Sequence, residues 1–339
     1  MSHTLETIAK LAGVSRGTVS RVVNNQPGVR SEVREKVLRI IKETGYQPHA
    51  QARSLAGGKT ENIGIVVFGH NPLFLAHHLF YEVLQGVQSF LTNYSYDLLL
   101  YSNRSVTDRQ YWKRIGDRRK IDGLIIMGEY IDEVYLQYYY DRNLPYVLVG
   151  KRISERIPLF CVTSDYRQGA YEATKHLLEQ GRRKIVFIRG ILDTYHDNER
   201  FAGYRQALAE AGMDVDEALI LHGNADKTSA SDAVAAFLAT DTEFDAIFAG
   251  NDLMAFGAIA ALQEYGLSVP QDVAVIGYDD IQAAEHFSPP LSTVRQDKLG
   301  LGVEAARLLL QLLAGETDAS IARDVIIPNQ LVIRSSSVR

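Results

Sequence analysis

Residues Thr4–Asn25 read TLETIAKLAGVSRGTVSRVVNN. Thr4 suits a helix N-cap, because its hydroxyl can accept from a first-turn N–H that has no carbonyl partner. Ile8 and Leu11 then share a face of a helix over roughly residues 5–11. Ala12-Gly13-Val14 interrupts it, with Gly13 free to take positive φ in a tight turn. Ser15 caps a second helix running to about Val23. Two short helices joined by a glycine-containing turn form a helix-turn-helix, whose second helix lies in the DNA major groove with its first residues at base edges. Those residues are Ser15, Arg16, Gly17 and Thr18, with Arg21 one turn on. Arginine reads guanine bidentately, whereas Ser, Thr and Asn more often hold phosphate, the role open to Thr4 and Asn24. Spacing alone also allows a small helical bundle with a solvated basic face.

A third helix follows. Ser31 is its expected cap, Glu32 and Glu35 sit in its first turn, and Val33, Val37, Ile40 and Ile41 share a face. Gly45 and Pro48 are its stop signals. Residues 49–60, HAQARSLAGGKT, form a polar bridge, read as a linker or one short helix. A helix of that length does not stand alone in water, because nucleation costs more than so few bonds return.

From Glu61 the pattern changes. Near-continuous apolar runs at Ile63–Phe68, Leu98–Tyr101, Gly123–Met127, Tyr146–Val149, Lys184–Ile188, Ala246–Ala249 and Val273–Ile276 alternate with helical segments such as Phe80–Thr92, Gln168–Gln180, Arg200–Ala211 and Leu253–Tyr265. Apolar runs of this kind are strands covered on both faces, and the alternation predicts α/β architecture with parallel sheets. The strands are too many for one small sheet, so two subdomains are expected. Ligands in such folds bind beyond the carboxyl ends of the strands.

The charge is as uneven as the pattern. Residues 1–60 hold 10 Lys+Arg against 4 Asp+Glu, a balance of +6, while the other residues hold 26 against 37, a balance of −11. The whole-chain −5 hides a basic head on an acidic body. One cysteine, Cys161, excludes an internal disulfide and a Cys-based zinc site. No apolar run approaches the ~20 residues of a membrane span. No signal peptide is visible, which predicts a cytoplasmic, nucleoid-associated protein.

Several motifs match by letter only. Gly13-Val-Ser15-Arg-Gly17 has the G-x-S-x-G spacing of a nucleophile elbow, but that motif needs a preceding strand. Gly58-Lys59-Thr60 has Arg53 where a phosphate loop needs its first glycine. Gly300-Leu-Gly302-Val-Glu-Ala305 fits a loose dinucleotide pattern with no buried strand feeding it directly. His77-His78 are adjacent and point apart on a helix. No enzyme activity, metal or cofactor is expected.

TIAKLAGVSRGTVSRVVN, VREKVLRIIKETGYQPHAQARSLAGGKT, IGIVV, DGLIIMG, HLLEQGRRKIVFIRG, ERFAGYRQALAEAGM, AGNDLMAFGAIAALQEYGLSVPQDVAVIGYDD and PPLSTVRQD occur in that order. Together they resemble the LacI/GalR family of bacterial transcription regulators over residues 4–335. The resemblance implies a helix-turn-helix domain at 1–48, a hinge helix at 49–60 and an effector-binding, dimerising body at 61–339. That body is similar to periplasmic binding proteins, with two doubly wound parallel-sheet subdomains. Their expected limits are about 61–161 with 294–324, and about 162–293 with 325–339. It further implies a homodimer on a near-palindromic operator, with Arg16 and Gly17 as the main base-reading pair, Arg21 as a further contact, and Leu55 wedged into the minor groove beside Ala56. The implied function is a repressor of carbohydrate-metabolism genes, switched by a sugar or sugar derivative between the subdomains. A co-repressor-dependent or carrier-protein-dependent global regulator of the same family is the alternative. The implied effector contacts are Phe74, Arg200, Asn251 and Asp279. Two departures bear on the effector. Gly150 stands where family members that bind plain sugars often carry Asp, and Lys298 stands where some have an aromatic ring. With Lys151 and Arg200, these changes point toward an acidic or phosphorylated sugar.

Overall fold

The computed structural model describes residues 4–23, 26–46, 59–67, 78–102, 109–128, 132–316 and 323–338. Three helices form the head: α1 (Leu5–Ala12), α2 (Arg16–Val23) and α3 (Ser31–Thr44). Ile8, Val19 and Val37, one from each helix, meet in a fully buried centre, ringed by Ala12, Val22 and Tyr46. Gly13 ends α1 at a φ of 67°, the left-handed turn expected of it. One cap differs from expectation. Ser31 is the first residue inside α3, and Arg30 precedes it without a side-chain cap bond.

The body follows as β1 (Asn62–Val67), α4 (His78–Leu91), β2 (Asp97–Ser102), α5 (Arg109–Ile115), β3 (Gly123–Met127), α6 (Glu133–Tyr140), β4 (Tyr146–Val149), β5 (Cys161–Ser164), α7 (Tyr166–Glu179), β6 (Ile185–Arg189), α8 (Tyr195–Glu210), β7 (Ile220–His222), α9 (Lys227–Leu238), β8 (Ala246–Ala249), α10 (Asp252–Glu264), β9 (Ala274–Ile276), α11 (Gln282–His286), β10 (Thr293–Gln296), α12 (Lys298–Leu313), β11 (Asp324–Ile327) and β12 (Asn329–Val332). One all-parallel sheet runs β11-β5-β4-β3-β1-β2 and a second runs β7-β6-β8-β9. Strands β10 and β12 pair antiparallel.

Helices α4 and α12 cover one face of the first sheet, and α5 and α6, with Trp112 and Tyr139, cover the other. The second sheet lies between α9–α10 and α7–α8. Burial on both faces explains the unbroken apolar runs. Close helix crossings are set by glycine. A Cβ on Gly302 of α12 would stand 2.0 Å from the Val83 carbonyl oxygen of α4, and one on Gly86 would stand 2.1 Å from the Leu299 oxygen. The Gly300-Leu-Gly302 pattern is therefore a packing notch.

The chain passes between the two sheets three times, at Asp165, Asp297 and Pro328. These passages fall a few residues later than expected. Strands β5 and β11 belong wholly to the first sheet, and β10 pairs with β12 instead of joining it. The passages are stitched together. Asp165 and Asp297 cap α7 and α12 through the Gln168 and Gly300 N–H groups. The Asp165 N–H donates to the Ile327 carbonyl, and Asn329 Nδ2 donates to the Asp165 carbonyl at 2.9 Å.

Candidate DNA-binding and effector sites

In the head, the two capping residues fix where α1 and α2 begin. Thr4 Oγ1 accepts from the Thr7 N–H at 3.3 Å. Ser15 Oγ accepts from the Thr18 N–H at 3.1 Å and lies 2.9 Å from Thr18 Oγ1. Ser15 and Thr18 thus hold each other at the tip of α2. Arg16, Gly17 and Arg21 of α2 are exposed, while Val19 and Val22 of the same helix are buried. Arg16 also lies close enough to Tyr46 to act on its phenol, whose pKa is raised first by burial and eased back by the Arg16 charge. Asn24, Leu55 and Ala56 lie outside the described residues, as do the wedge and hinge-helix readings built on them.

In the body, a polar cluster sits beyond the carboxyl ends of β8 and β9. Arg200, on α8, donates from Nη1 to the Gly250 carbonyl at 2.6 Å and from Nη2 to Asp279 Oδ1 at 3.2 Å. Its guanidinium stands 4.0 Å from the Tyr278 ring centroid and 5.0 Å from that of Tyr166. Burial works against the Arg200 charge, but the Asp279 carboxylate offsets it and holds the guanidinium pKa above its ordinary value. Arg200 Nε is buried with no acceptor among the described residues.

Asp279 adopts a φ of 111° and Asp280 one of 48°, conformations that cost energy in a residue with a Cβ. Neighbours enforce them. The Asp279 N–H donates to the Val294 carbonyl. Asp280 is gripped by Arg295 at 2.6 Å and Arg334 at 2.8 Å. Asp252 accepts from Thr293 Oγ1 at 2.5 Å and from the Ile281 N–H at 2.8 Å. Burial first, and then the Asp279 charge, push the Asp252 carboxyl well above the usual carboxylate range.

Arg200 and Asp279 are thus brought together as expected, and Asn251 stands beside them in another capacity. Its Oδ1 caps α10 through the Met254 N–H at 2.8 Å, and its Nδ2 donates to the Ala225 carbonyl at 3.0 Å. Each end of the amide thus makes one bond to the framework. Phe74 lies outside the described residues, as do the other positions of 68–77. The body cations that pointed toward an acidic sugar have acid partners. Lys151 pairs with Asp324 at 2.7 Å, and Lys298, only 2% exposed, pairs with Glu82 at 3.2 Å. Arg200 is likewise paired with Asp279, so all three of these cations are already neutralised by acids among the described residues.

The structure adds residues that the sequence did not single out. Gln296, buried at the end of β10, donates from Nε2 to Asp279 Oδ1 at 2.6 Å and accepts from Ser164 Oγ at 2.8 Å. Ser164 ends β5 in the first subdomain, so a hydrogen-bonded chain joins the two halves to Asp279. Tyr166 and Tyr278 wall in Arg200. Gln296 lay in the STVRQD run with nothing to distinguish it from a solvated glutamine. Asp252 sits beside Asn251 in a visible capping pattern.

Among the described residues no group of His, Cys, Asp or Glu could hold a metal ion, and no helix is long and apolar enough to cross a membrane.

The comparisons with known proteins cover both sites. The family described as bacterial regulatory proteins, lacI family, matches residues 4–49, and the periplasmic binding protein-like domain matches residues 174–337. The HTH-type transcriptional regulator CelR of Thermobifida fusca is 35% identical over 336 residues, covering 98% of each chain. Catabolite control protein A of Priestia megaterium is 33% identical over 343 residues, covering 99% of this chain and 100% of its own. The transcriptional repressor PurR of Vibrio atlanticus is 37% identical over 314 residues, covering 91% of each. A solved CelR–cellobiose complex superposes with a TM-score of 0.74 at 35% identity, covering 98% of this chain and 99% of that one. A lac repressor dimer bound to operator and the anti-inducer ONPF superposes with a TM-score of 0.81 at 26% identity, over the whole of both chains. An exposed reading helix on a capped three-helix head, joined to a two-sheet body, has full-length counterparts in these regulators: the chain belongs to the LacI family of DNA-binding transcription regulators.

Proposed function

We propose that this regulator is a homodimeric, non-enzymatic repressor of carbohydrate-metabolism genes, working in the cytoplasm, whose operator affinity is set by a neutral sugar held beyond the strand ends near Arg200 and Asp279. Arg16 and Arg21 supply the base contacts, since Gly17 has no side chain to offer. Ser15, Thr18 and Thr4 set register against phosphates, with Asn24, Leu55 and Ala56 completing the DNA contacts. Phe74 covers a sugar face, and Asn251 acts by holding the Ala225 turn.

The observation that carries the sugar reading is the Arg200–Asp279–Gln296 network. It presents a fixed carboxylate that accepts from hydroxyls, beside aromatic walls, with Arg200, Lys151 and Lys298 each already paired to an acid. The CelR relative has been solved with cellobiose, which makes cellobiose the first candidate. Calorimetry should give saturable binding of cellobiose or another neutral sugar, and none of glucose 6-phosphate. Tight binding of the phosphorylated sugar alone would overturn the neutral-sugar reading. The alternative reading is a co-repressor-dependent or carrier-protein-dependent regulator of the same family. A fall in operator affinity on adding the sugar decides for induction, and a rise decides for co-repression.

A further inference from the structure

Residues Lys113–Lys120, KRIGDRRK, place five cations against one acid in a body whose balance is otherwise strongly negative. Trp112 and Ile115 anchor the run in the core at 1% and 0% exposure, while Lys113, Arg114, Arg118, Arg119 and Lys120 are all exposed. Asp117 engages Arg119 at 3.0 Å and is the only acid within the run.

The position of the run is fixed as firmly as its charge. The turn leads into β3, whose Gly123 pairs in parallel with Ile63 of β1. It therefore lies at the amino edge of the sheet, where the chain arrives from the head. Asp122 binds that arriving chain directly. Its Oδ1 accepts from the Thr60 N–H at 2.7 Å and from Thr60 Oγ1 at 2.9 Å, and its Oδ2 accepts from the Glu61 N–H at 2.9 Å. Asn62 Nδ2 donates to the Lys120 carbonyl at 2.9 Å. Glu61 and exposed Asp97 flank the patch on its β2 side, leaving the α5 side as the cationic one.

We infer that this edge is a second DNA-contacting surface, which holds the sugar-phosphate backbone of the duplex that the head reads. The inference rests on the head's DNA binding. Residues 47–58 tether the head to Lys59. That tether spans at most about 45 Å fully extended, and about 18 Å as a helix. A duplex held by the head thus stays within the reach of a surface that already has the complementary charge. Contacts of this kind add affinity without base preference, because phosphates carry no direct sequence information. Continuity with the head's tether favours DNA over an acidic protein as the occupant.

The test uses the full-length chain carrying Arg118→Gln and Lys120→Gln, two exposed changes that should leave the melting temperature and sugar affinity in place. Operator affinity is measured across a salt series. The slope of log affinity against log salt should fall by about 0.9 for each contacting charge removed, with the selected base sequence unchanged. Slopes equal to wild type would overturn the inference. Arg16→Ala provides the reference for the head: it should change base preference and leave the double variant's slope loss intact. A wild-type chain with no operator preference would instead count against the head reading. A second readout uses the fact that Cys161 is fully buried. A thiol photocrosslinker on Lys120→Cys then reports from one site. Crosslinking to operator DNA supports the contact. Crosslinking to protein only, with operator affinity intact, overturns it.

Discussion

Ser15 shows how one side chain can be claimed by both fold and function. Its hydroxyl caps α2 and touches Thr18 Oγ1, at the place where a helix-turn-helix meets phosphate. Ser15→Ala should therefore destabilise the head by about 1 kcal/mol, as loss of a cap does, as well as weaken DNA binding. Ser15→Asp should keep the cap and lose only DNA affinity, because a carboxylate repels phosphate. Thermal unfolding beside operator titration separates the two effects; an alanine variant of unchanged stability would show that the cap contributes nothing. At this scale the sequence identified residue types better than their commitments. Arg200 and Asp279 could be singled out as polar groups near strand ends. That Asn251 uses both ends of its amide on Met254 and Ala225 depends on a turn brought in from another part of the chain.

Among the elements, the long apolar strands were legible because burial on both faces writes itself as an unbroken run. Strands β3, β4 and β8 have the limits the runs suggested. Strands β5, β7, β10, β11 and β12 were not singled out. They are three or four residues long, mix polar with apolar side chains, and are defined by partners far away in sequence, as Cys161 is by Asp324. The helix crossings were also hidden, since nothing in Gly300-Leu-Gly302 tells a ligand loop from a packing notch. The α4–α12 contact tests the notch. Gly302→Ala adds a methyl group 2.0 Å from the Val83 oxygen, so the helices must part. Overpacking of this kind costs about 1–3 kcal/mol. The urea midpoint should fall accordingly, and a midpoint equal to wild type would mean that the helices give way without strain.

For the whole molecule, the three passages at Asp165, Asp297 and Pro328 are where the chain links the two halves. Gln296 ties one passage to Ser164 and to Asp279 at once. A ligand that engages Asp279 must therefore compete with, or reinforce, a bond that reaches the other subdomain. Ligand can shift the operator equilibrium only through such a difference between states. Gln296→Leu should leave measurable sugar binding but shrink the ligand-induced change in operator affinity, a coupling commonly worth about 1–3 kcal/mol. Operator titrations with and without sugar measure it, and an undiminished ratio would make Gln296 a purely structural residue. The same three passages govern how the chain can be made. Because β11 and α12 complete the first sheet and cover its face, that half stays unfinished on the ribosome until nearly the whole chain has emerged. Between α4 and the end of α12 the wait is on the order of tens of seconds at ordinary synthesis rates. The second sheet, contiguous from β6 to β9, can close in the meantime. A nascent or truncated chain ending before Lys298 would carry the bare apolar face of α4, a natural target for chaperones and proteases.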